Sequence, residues 1–368
     1  MANDSSVCVI LLNYRNAKDT ISCLDSLLEL TYPNLKIMVC DNGSEDDSIQ
    51  RFIEWAESLI MQKKLPRYAI LNANSSIPKF EKTNAENIAL YILENKVNRG
   101  YAAGMNLGIS HALNLESFKY LWILNNDTTV DKNALTYLVE KMDKDSSIGL
   151  CGSTILYAHD PSRVQALGGF LFNRVFGLSK QIGNGELWSA KLIQEYTESR
   201  IERKMFGIQG AAIFLRKEFL EKIGMMDEEY FLYSEEQDWA MRSKGIFKLG
   251  YASKSLVYHQ EGKTTGSNSY QSKKSLDADF YLTRSRILYA KKYTPLFLPA
   301  IFMTIFLIAC KRFLTGQPLN GVLILLSAFF NIKRSKNIKK EYDNNYLSPF
   351  DKFRKRKIFK FLFGNKND

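Results

Sequence analysis

The sequence predicts an α/β protein built on a largely parallel sheet. Three observations carry that expectation. Short, unbroken apolar runs of strand length recur along the first 260 residues. Segments with apolar residues at helical spacing lie between them. Several of the runs end on an Asn or Asp, the punctuation expected where a strand gives way to a loop.

The first run, residues 7–12, ends at Asn13-Tyr14 and reads as a buried strand. Residues 19–30 follow with Ile21, Leu24, Leu27 and Leu28 on one helical face. A second strand over 35–40 ends at Asp41, and Asn42-Gly43-Ser44 is turn chemistry. Ser44 with Asp47 three residues on predicts an N-cap for a helix running through Trp55. Residues 63–87 are polar and irregular and read as an insertion. Strand character resumes over 88–93, and the glycine-bearing segment 98–108 opens a helix. A strand over 120–124 ends in Asn125-Asn126-Asp127, then a helix over 131–142 and a strand over 148–155. The pattern weakens over 157–205, which reads as loop-rich and suited to acceptor recognition. Regular patterning returns at 207–215 and continues to His259.

The chain of 368 residues is 45% hydrophobic and 24% charged, which excludes global disorder and leaves room for a sizeable core. Its formal charge of +11 is uneven: residues 331–368 hold twelve Lys or Arg against four Asp or Glu. The body is close to neutral, so the basic balance is no nucleic-acid footprint of the fold. The five cysteines show no metal or disulfide spacing, as suits a reducing compartment. The first residues enter a strand directly, with no pattern of a secretory signal.

Four polar residues at predicted strand ends, Asn13, Asp41, Asn98 and Asp127, would converge on one edge of the sheet, where open α/β sheets bind ligands. The segment 98–108, with Gly100 and Asn106, resembles a phosphate-cradling helix start. Asp127 beside Asn125 and Asn126 suits Mg2+ or Mn2+ shared with a substrate diphosphate. His259 could ligate the same ion or be a core histidine. The run 227–239 holds Asp227, Glu228, Glu229, Glu235, Glu236 and Asp238 among aromatic residues, which argues against a fully solvated face. Ser234 and Gln237 fit a capping box, leaving Glu235 and Glu236 in a first helical turn that favours their ionised, basic form. Asp238 and Arg242 are spaced to pair along that helix.

On the segments 9–14, 40–44, 98–108, 124–127 and 224–242, in this order and spacing, the chain resembles the inverting glycosyltransferases of family 2, and within them rhamnosyltransferase-like bacterial enzymes. The resemblance covers roughly residues 7–266. It implies a GT-A fold, with a nucleotide-sugar half over about 1–130 and an acceptor half over about 131–266. It implies that Asn13, Tyr14, Asp41, Asn98, Gly100, Asn106, Asn125 and Asn126 bind the nucleotide-sugar, and that Asp127 and His259 meet the metal. Glu236 takes the catalytic-base position, where the family usually has Asp, which leaves Glu235 and Asp238 as alternates. The donor would be a nucleotide-diphosphate sugar and the acceptor a saccharide, in this setting lipid-linked. A nucleotidyltransferase on a similar sheet would need more cations near the glycine segment than Arg99. A nucleic-acid-binding protein would need a basic body.

Residues 267–368 are expected to form a helical, membrane-associating region. Two apolar runs, 295–310 and 318–330, are each shorter than a bilayer span of about 20 residues. The basic, aromatic segment 350–363 suits an anionic leaflet. The expectation is a peripheral or monotopic protein at the cytoplasmic face of the membrane, with the apolar runs alternatively packing on the core.

Overall fold

The structure, a computed structural model, describes residues 5–72, 89–115, 118–260, 274–329 and 350. The basic segment 350–363 beyond its first residue, the boundary near 266 and most of the insertion 63–87 lie outside the described residues.

The strands are β1 (Val7–Asn13), β2 (Leu35–Asn42), β3 (Tyr68–Asn72), β4 (Leu90–Asn95), β5 (Tyr120–Asn125), β6 (Thr128–Val130), β7 (Ile148–Tyr157), β8 (Asp160–Leu167), β9 (Gly169–Asn173), β10 (Leu178–Gln181), β11 (Gly207–Ile208), β12 (Ala212–Arg216) and β13 (Lys248–His259). The main sheet has the order β3-β4-β2-β1-β5-β12-β7-β13-β6, with β8 paired to β7. β1 to β5 run parallel, β12 enters antiparallel between β5 and β7, and β13 lies parallel to β7. A second, small antiparallel sheet has the order β10-β9-β11. The mixed, mostly parallel α/β architecture predicted from the sequence is therefore present.

The apolar runs are unbroken because both faces of the sheet are covered. Val7, Val9 and Leu11 of β1 enter one core layer with Ile37, Val39, Tyr120, Trp122 and Leu124. Cys8 and Ile10 enter the other with Met38, Cys40, Leu121 and Ile123. Helices Ala17–Leu28, Ser48–Met61 and Ala134–Lys144 cover the first layer; Tyr101–Leu115 and Glu235–Ser243 contribute to the second.

Three expectations are corrected. The stretch 157–205 is not loop-rich: it holds β8, β9, β10 and the short helices Ala190–Glu195 and Glu198–Lys204. These elements are too short and too glycine-punctuated to show a clear period. Neither capping signal is used. The helix near Ser44 starts at Ser48, and Ser44 is bonded to Asp41 instead. Ser234 stands at the start of its helix but in the left-handed region, with φ of 71° and no side-chain cap bond. Finally, the apolar run expected to stop at Cys310 continues as helix Leu298–Leu314. With the turn before it, this makes 20 residues, Pro295–Leu314, long and apolar enough to cross a membrane by length and composition. The charge of Arg312 does not end the helix because it is neutralised by a bidentate pair with buried Asp279 at 2.8 and 3.0 Å.

Candidate functional site

The parallel register decides which polar ends meet. Asn13 lies opposite Asp41 across β1 and β2, and Asn125 lies one step on, opposite Leu12. Asn13 Nδ2 accordingly donates to Asp41 Oδ1 at 2.8 Å. The second carboxylate oxygen accepts from the Ser44 backbone N–H at 3.0 Å. Thr20, from the first helix, donates to Asn13 Oδ1 and accepts from Asn126 Nδ2, both at 2.9 Å. A continuous hydrogen-bonded chain thus joins Asn126, Thr20, Asn13 and Asp41 along the sheet edge. Tyr14 follows Asn13 with its ring half-buried and the Arg15 guanidinium over it at 5.2 Å.

Asn98 closes the neighbouring turn. Its Oδ1 accepts from Asn42 Nδ2 at 3.1 Å and from the Gly100 N–H at 2.9 Å. The next amide, Tyr101 N–H, donates to Phe231 O at 2.7 Å. Two amides of the expected phosphate cradle are therefore already engaged. The glycines of this segment serve close packing: a Cβ on Gly104 would lie 2.7 Å from Leu12 Cδ1, and one on Gly108 2.6 Å from Cys40 Sγ. Asn106, expected to bind donor, is instead a loop anchor. Its amide donates to Met226 O at 2.9 Å and Glu228 Oε1 at 3.0 Å, and it accepts from Met226 N at 3.0 Å. Arg99, the cation nearest the glycines, faces Glu228 at 3.6 Å.

Asp127 and His259 come together because β13 pairs β6 with His259 opposite Thr128. His259 Nε2 lies 3.1 Å from Asp127 Oδ1, and its Nδ1 is held 2.9 Å from Gln165 Oε1 on β8. Both side chains are buried. Anchoring one ring nitrogen on an outer partner orients the other, the usual support for a metal-facing imidazole. Among the described residues no group of three or more His, Cys, Asp or Glu gathers at one point. Cys23 is close by, but burial first of all pushes its thiol up to about 12, so it stays protonated.

The acidic turn lies beside this pair. Gly210 carries no side chain, and a Cβ there would sit 3.8 Å from Glu236 Cδ. The next carbonyl, Ala211 O, accepts from Asn125 N at 3.0 Å, two residues before Asp127. Tyr101 spans the gap: its hydroxyl reaches Gly210 O at 3.4 Å. Burial, and then the charges of Glu235, Glu236 and Asp127, hold that phenol well above its ordinary value.

Oε2 of Glu235 and Oε2 of Glu236 are buried with no hydrogen-bond partner among the described residues. Burial raises both carboxyls; Glu236 moves to about 6, and Glu235, which also faces the Glu236 charge, rises well above its ordinary range. The helix terminus therefore does not hold these carboxyls at or below their ordinary values: desolvation outweighs it. Tyr233 and Ser234, just before the helix, have φ of 69° and 71°. Two successive non-glycine residues in the left-handed region store strain of the kind found at functional sites.

Asp238, expected as an alternate base, is fully buried and committed. It accepts from Arg242 Nε, Lys292 Nζ and the Tyr293 hydroxyl, each at 2.6 Å. Thr20 and Gln165 join this neighbourhood without being singled out in the sequence, while Ser44 and Tyr101 lie within the segments 40–44 and 98–108 but carry no site role there. Each is an ordinary side chain within or just beyond an element, with no local signal to mark it.

Residues 57–224 match the family model described as glycosyl transferase family 2. The match takes in Asn98 and Asp127 and stops short of Glu235-Glu236. The poly-beta-1,6-N-acetyl-D-glucosamine synthase of Staphylococcus epidermidis is 26% identical over 140 residues, covering 38% of this chain. That stretch spans only 26% of the relative's own length. The fold superposes on the mannosyltransferase PcManGT from Pyrobaculum calidifontis, solved in complex with GDP-Man and Mn2+, with a TM-score of 0.50 and 13% identity. That match covers 90% of this chain and 89% of the other. It also superposes on GalNAc-T7, solved with UDP, GalNAc and Mn2+, with a TM-score of 0.53 and 14% identity over 79% of this chain and 48% of that one.

Proposed function

We propose, from the premise that this chain carries a glycosyltransferase family 2 domain on a GT-A fold, that it transfers a hexose such as rhamnose, with inversion, from a nucleotide-diphosphate sugar to an acceptor hydroxyl. One observation carries this reading. A carboxyl with one buried oxygen lacking a partner among the described residues, and with its pKa raised to about 6, Glu236, is set around Tyr101 and Gly210 beside the Asp127–His259 pair.

A sugar hydroxyl needs its proton taken as the new bond forms. Glu236 is the residue to take it, since a base of pKa near 6 is ionised at neutral pH yet holds the proton well enough to accept it. Asp238 positions the helix and does not touch substrate. Asn13 and Asp41, locked by Ser44 and Thr20, form a rigid floor for the nucleoside, with the Tyr14 ring beside it. Asp127 and His259 would hold Mg2+ or Mn2+; a carboxylate oxygen and an imidazole nitrogen suit either ion, and the diphosphate would complete the set. Such an ion, when bound, offsets the charge that develops on the departing diphosphate. GDP-Man with Mn2+ in one solved neighbour, and UDP, GalNAc and Mn2+ in the other, support this donor and cofactor class.

The acceptor in this reading is a lipid-linked saccharide used to build a cell-surface polysaccharide, met at the cytoplasmic face of the membrane. The name of the Staphylococcus relative and the apolar helix Pro295–Leu314 support it. Hydrolysis of a panel of nucleotide-sugars, with Mn2+ and with chelator, tests the assignment. One donor should be turned over, and Asp127→Ala should abolish both turnover and Mn2+-dependent nucleotide binding in a folded protein. Turnover of no donor would sink the transferase reading, and full turnover in chelator the metal reading.

A further inference from the structure

We infer that the β9–β10 hairpin is a second membrane-contacting element, which with helix Leu298–Leu314 gives two exposed apolar sets on one helical unit, together the platform for an anionic bilayer surface. The inference rests on the membrane reading above and deepens it. Helix Leu298–Leu314 has two faces. Ile301, Ile305 and Ala309 are buried against the helix Leu276–Tyr293. Met303, Phe306, Leu307, Phe313 and Leu314 are exposed, Leu307 by 60% and Leu314 by 88%. They stand at i, i+3, i+4, i+10 and i+11, with partly exposed Cys310 at i+7, and so lie on one side of the helix. Exposed large apolar residues standing in a stripe mark a contact surface, whereas scattered ones do not.

The hairpin repeats this composition at its turn and on its outer face. Leu171, Val175, Phe176 and Leu178 are all exposed, Phe176 by 48%. In the hairpin register Leu171 stands opposite Lys180, and Leu178 opposite Asn173. On the inner face Phe172 is anchored instead, against Phe206 at 5.0 Å and Tyr289 at 5.2 Å. The hairpin turn is bound to the same helical unit as the stripe. Arg286 Nε donates to Gly177 O at 2.9 Å, and a Cβ on Gly177 would come 3.4 Å from Ile301 Cγ1. The hairpin turn is therefore packed on the same helical unit, against the buried face of helix Leu298–Leu314 at Ile301.

Charge selects the occupant. No Asp or Glu occurs between Asp160 and Glu186, or between Asp279 and Glu341, while Arg174, Lys180 and Lys311 stand among the apolar groups. Apolar segments that carry cations and no carboxylates fit anionic headgroups over acyl chains. The same helix Leu276–Tyr293 also grips the loop before the acidic turn: Arg284 donates to Glu229 O at 2.7 Å and Ser285 to Leu232 O at 2.8 Å. The platform and the acidic turn are thus braced by one helix, which would bring a membrane-confined acceptor toward Glu236.

The test uses the full chain with vesicles of phosphatidylcholine and phosphatidylglycerol in equal parts. Val175→Ser with Phe176→Ser, and separately Phe306→Ser with Leu307→Ser, should each lower partitioning by roughly 10- to 100-fold. Donor hydrolysis should be unchanged in both, which reports that the fold and the transferase assignment stand. In a third variant, Phe176→Trp, indole emission should be quenched by lipids brominated on the acyl chain. If the hairpin pair partitions like wild type and the Phe176→Trp emission is not quenched, the hairpin proposal is overturned while the helix remains a membrane element. Wild-type partitioning by both pairs overturns the membrane reading with it. Loss of a dimer in sedimentation, with no change on vesicles, would assign the face to a second copy of the chain.

Discussion

Glu236 and Asp238 sit two residues apart in the same helical turn and have opposite surroundings. Asp238 is fully buried and accepts three hydrogen bonds of 2.6 Å, two of them from cations. Glu236 has a buried oxygen with no partner among the described residues and a carboxyl raised to about 6. Asp238 is fully buried and Glu236 only partly, but both have a buried carboxylate oxygen, and the partners of those oxygens differ. A buried carboxylate that is neutralised and hydrogen-bonded stabilises the fold around it, and leaving its charge unpaired is costly. A buried carboxylate left bare is costly in the folded protein and is kept where a reactive proton site is wanted.

The largest expected effect separates the two by activity. Glu236→Gln keeps size but removes the basic atom, and transfer at saturating substrate should fall by about 10²–10⁴-fold with nucleotide affinity retained. In the wild type the same rate should decline as pH drops through about 6, where Glu236 takes up its proton. Near wild-type transfer by Glu236→Gln, with Glu235→Gln inactive, would move the base by one position.

The next effect is on stability. Asp238→Ala leaves Lys292 and Arg242 facing a cavity without their shared counter-charge. Denaturant unfolding should show a loss on the order of 3–5 kcal/mol. An unfolding free energy equal to wild type would mean that the network around Asp238 is not what fixes the catalytic helix.

The smallest effect sharpens the contrast most, because its sign is reversed. Glu236 has its folded pKa raised from 4.5 to about 6, so the folded state holds this proton more tightly than the unfolded chain does. Its contribution favours the fold below the unfolded value and is lost as pH rises through the folded one. At neutral pH the ionised group costs about 2 kcal/mol. Glu236→Gln should therefore raise the unfolding midpoint at neutral pH, with the gain vanishing below the unfolded pKa. A variant that is both inactive and less stable than wild type at neutral pH would break the comparison.

Much of this site is legible in the sequence because strand ends are local features. An apolar run that stops at Asn13, Asp41 or Asn125 tells where a polar side chain leaves the sheet, and a parallel sheet delivers all such ends to one edge. The order of motifs from Asn13 to His259 was enough to read the fold. Which carboxylate is bare and which is paired was beyond that reading. Lys292 and Tyr293, which occupy Asp238, lie 54 and 55 residues further on. Gln165, which orients His259, comes from a strand 94 residues earlier, in a stretch that reads as loop. Sequence periodicity reports which face a residue turns toward the core. The protonation and chemical use of a buried group depend instead on partners and desolvation that exist only once distant elements have packed, and so it was the tertiary structure that separated Glu236 from Asp238.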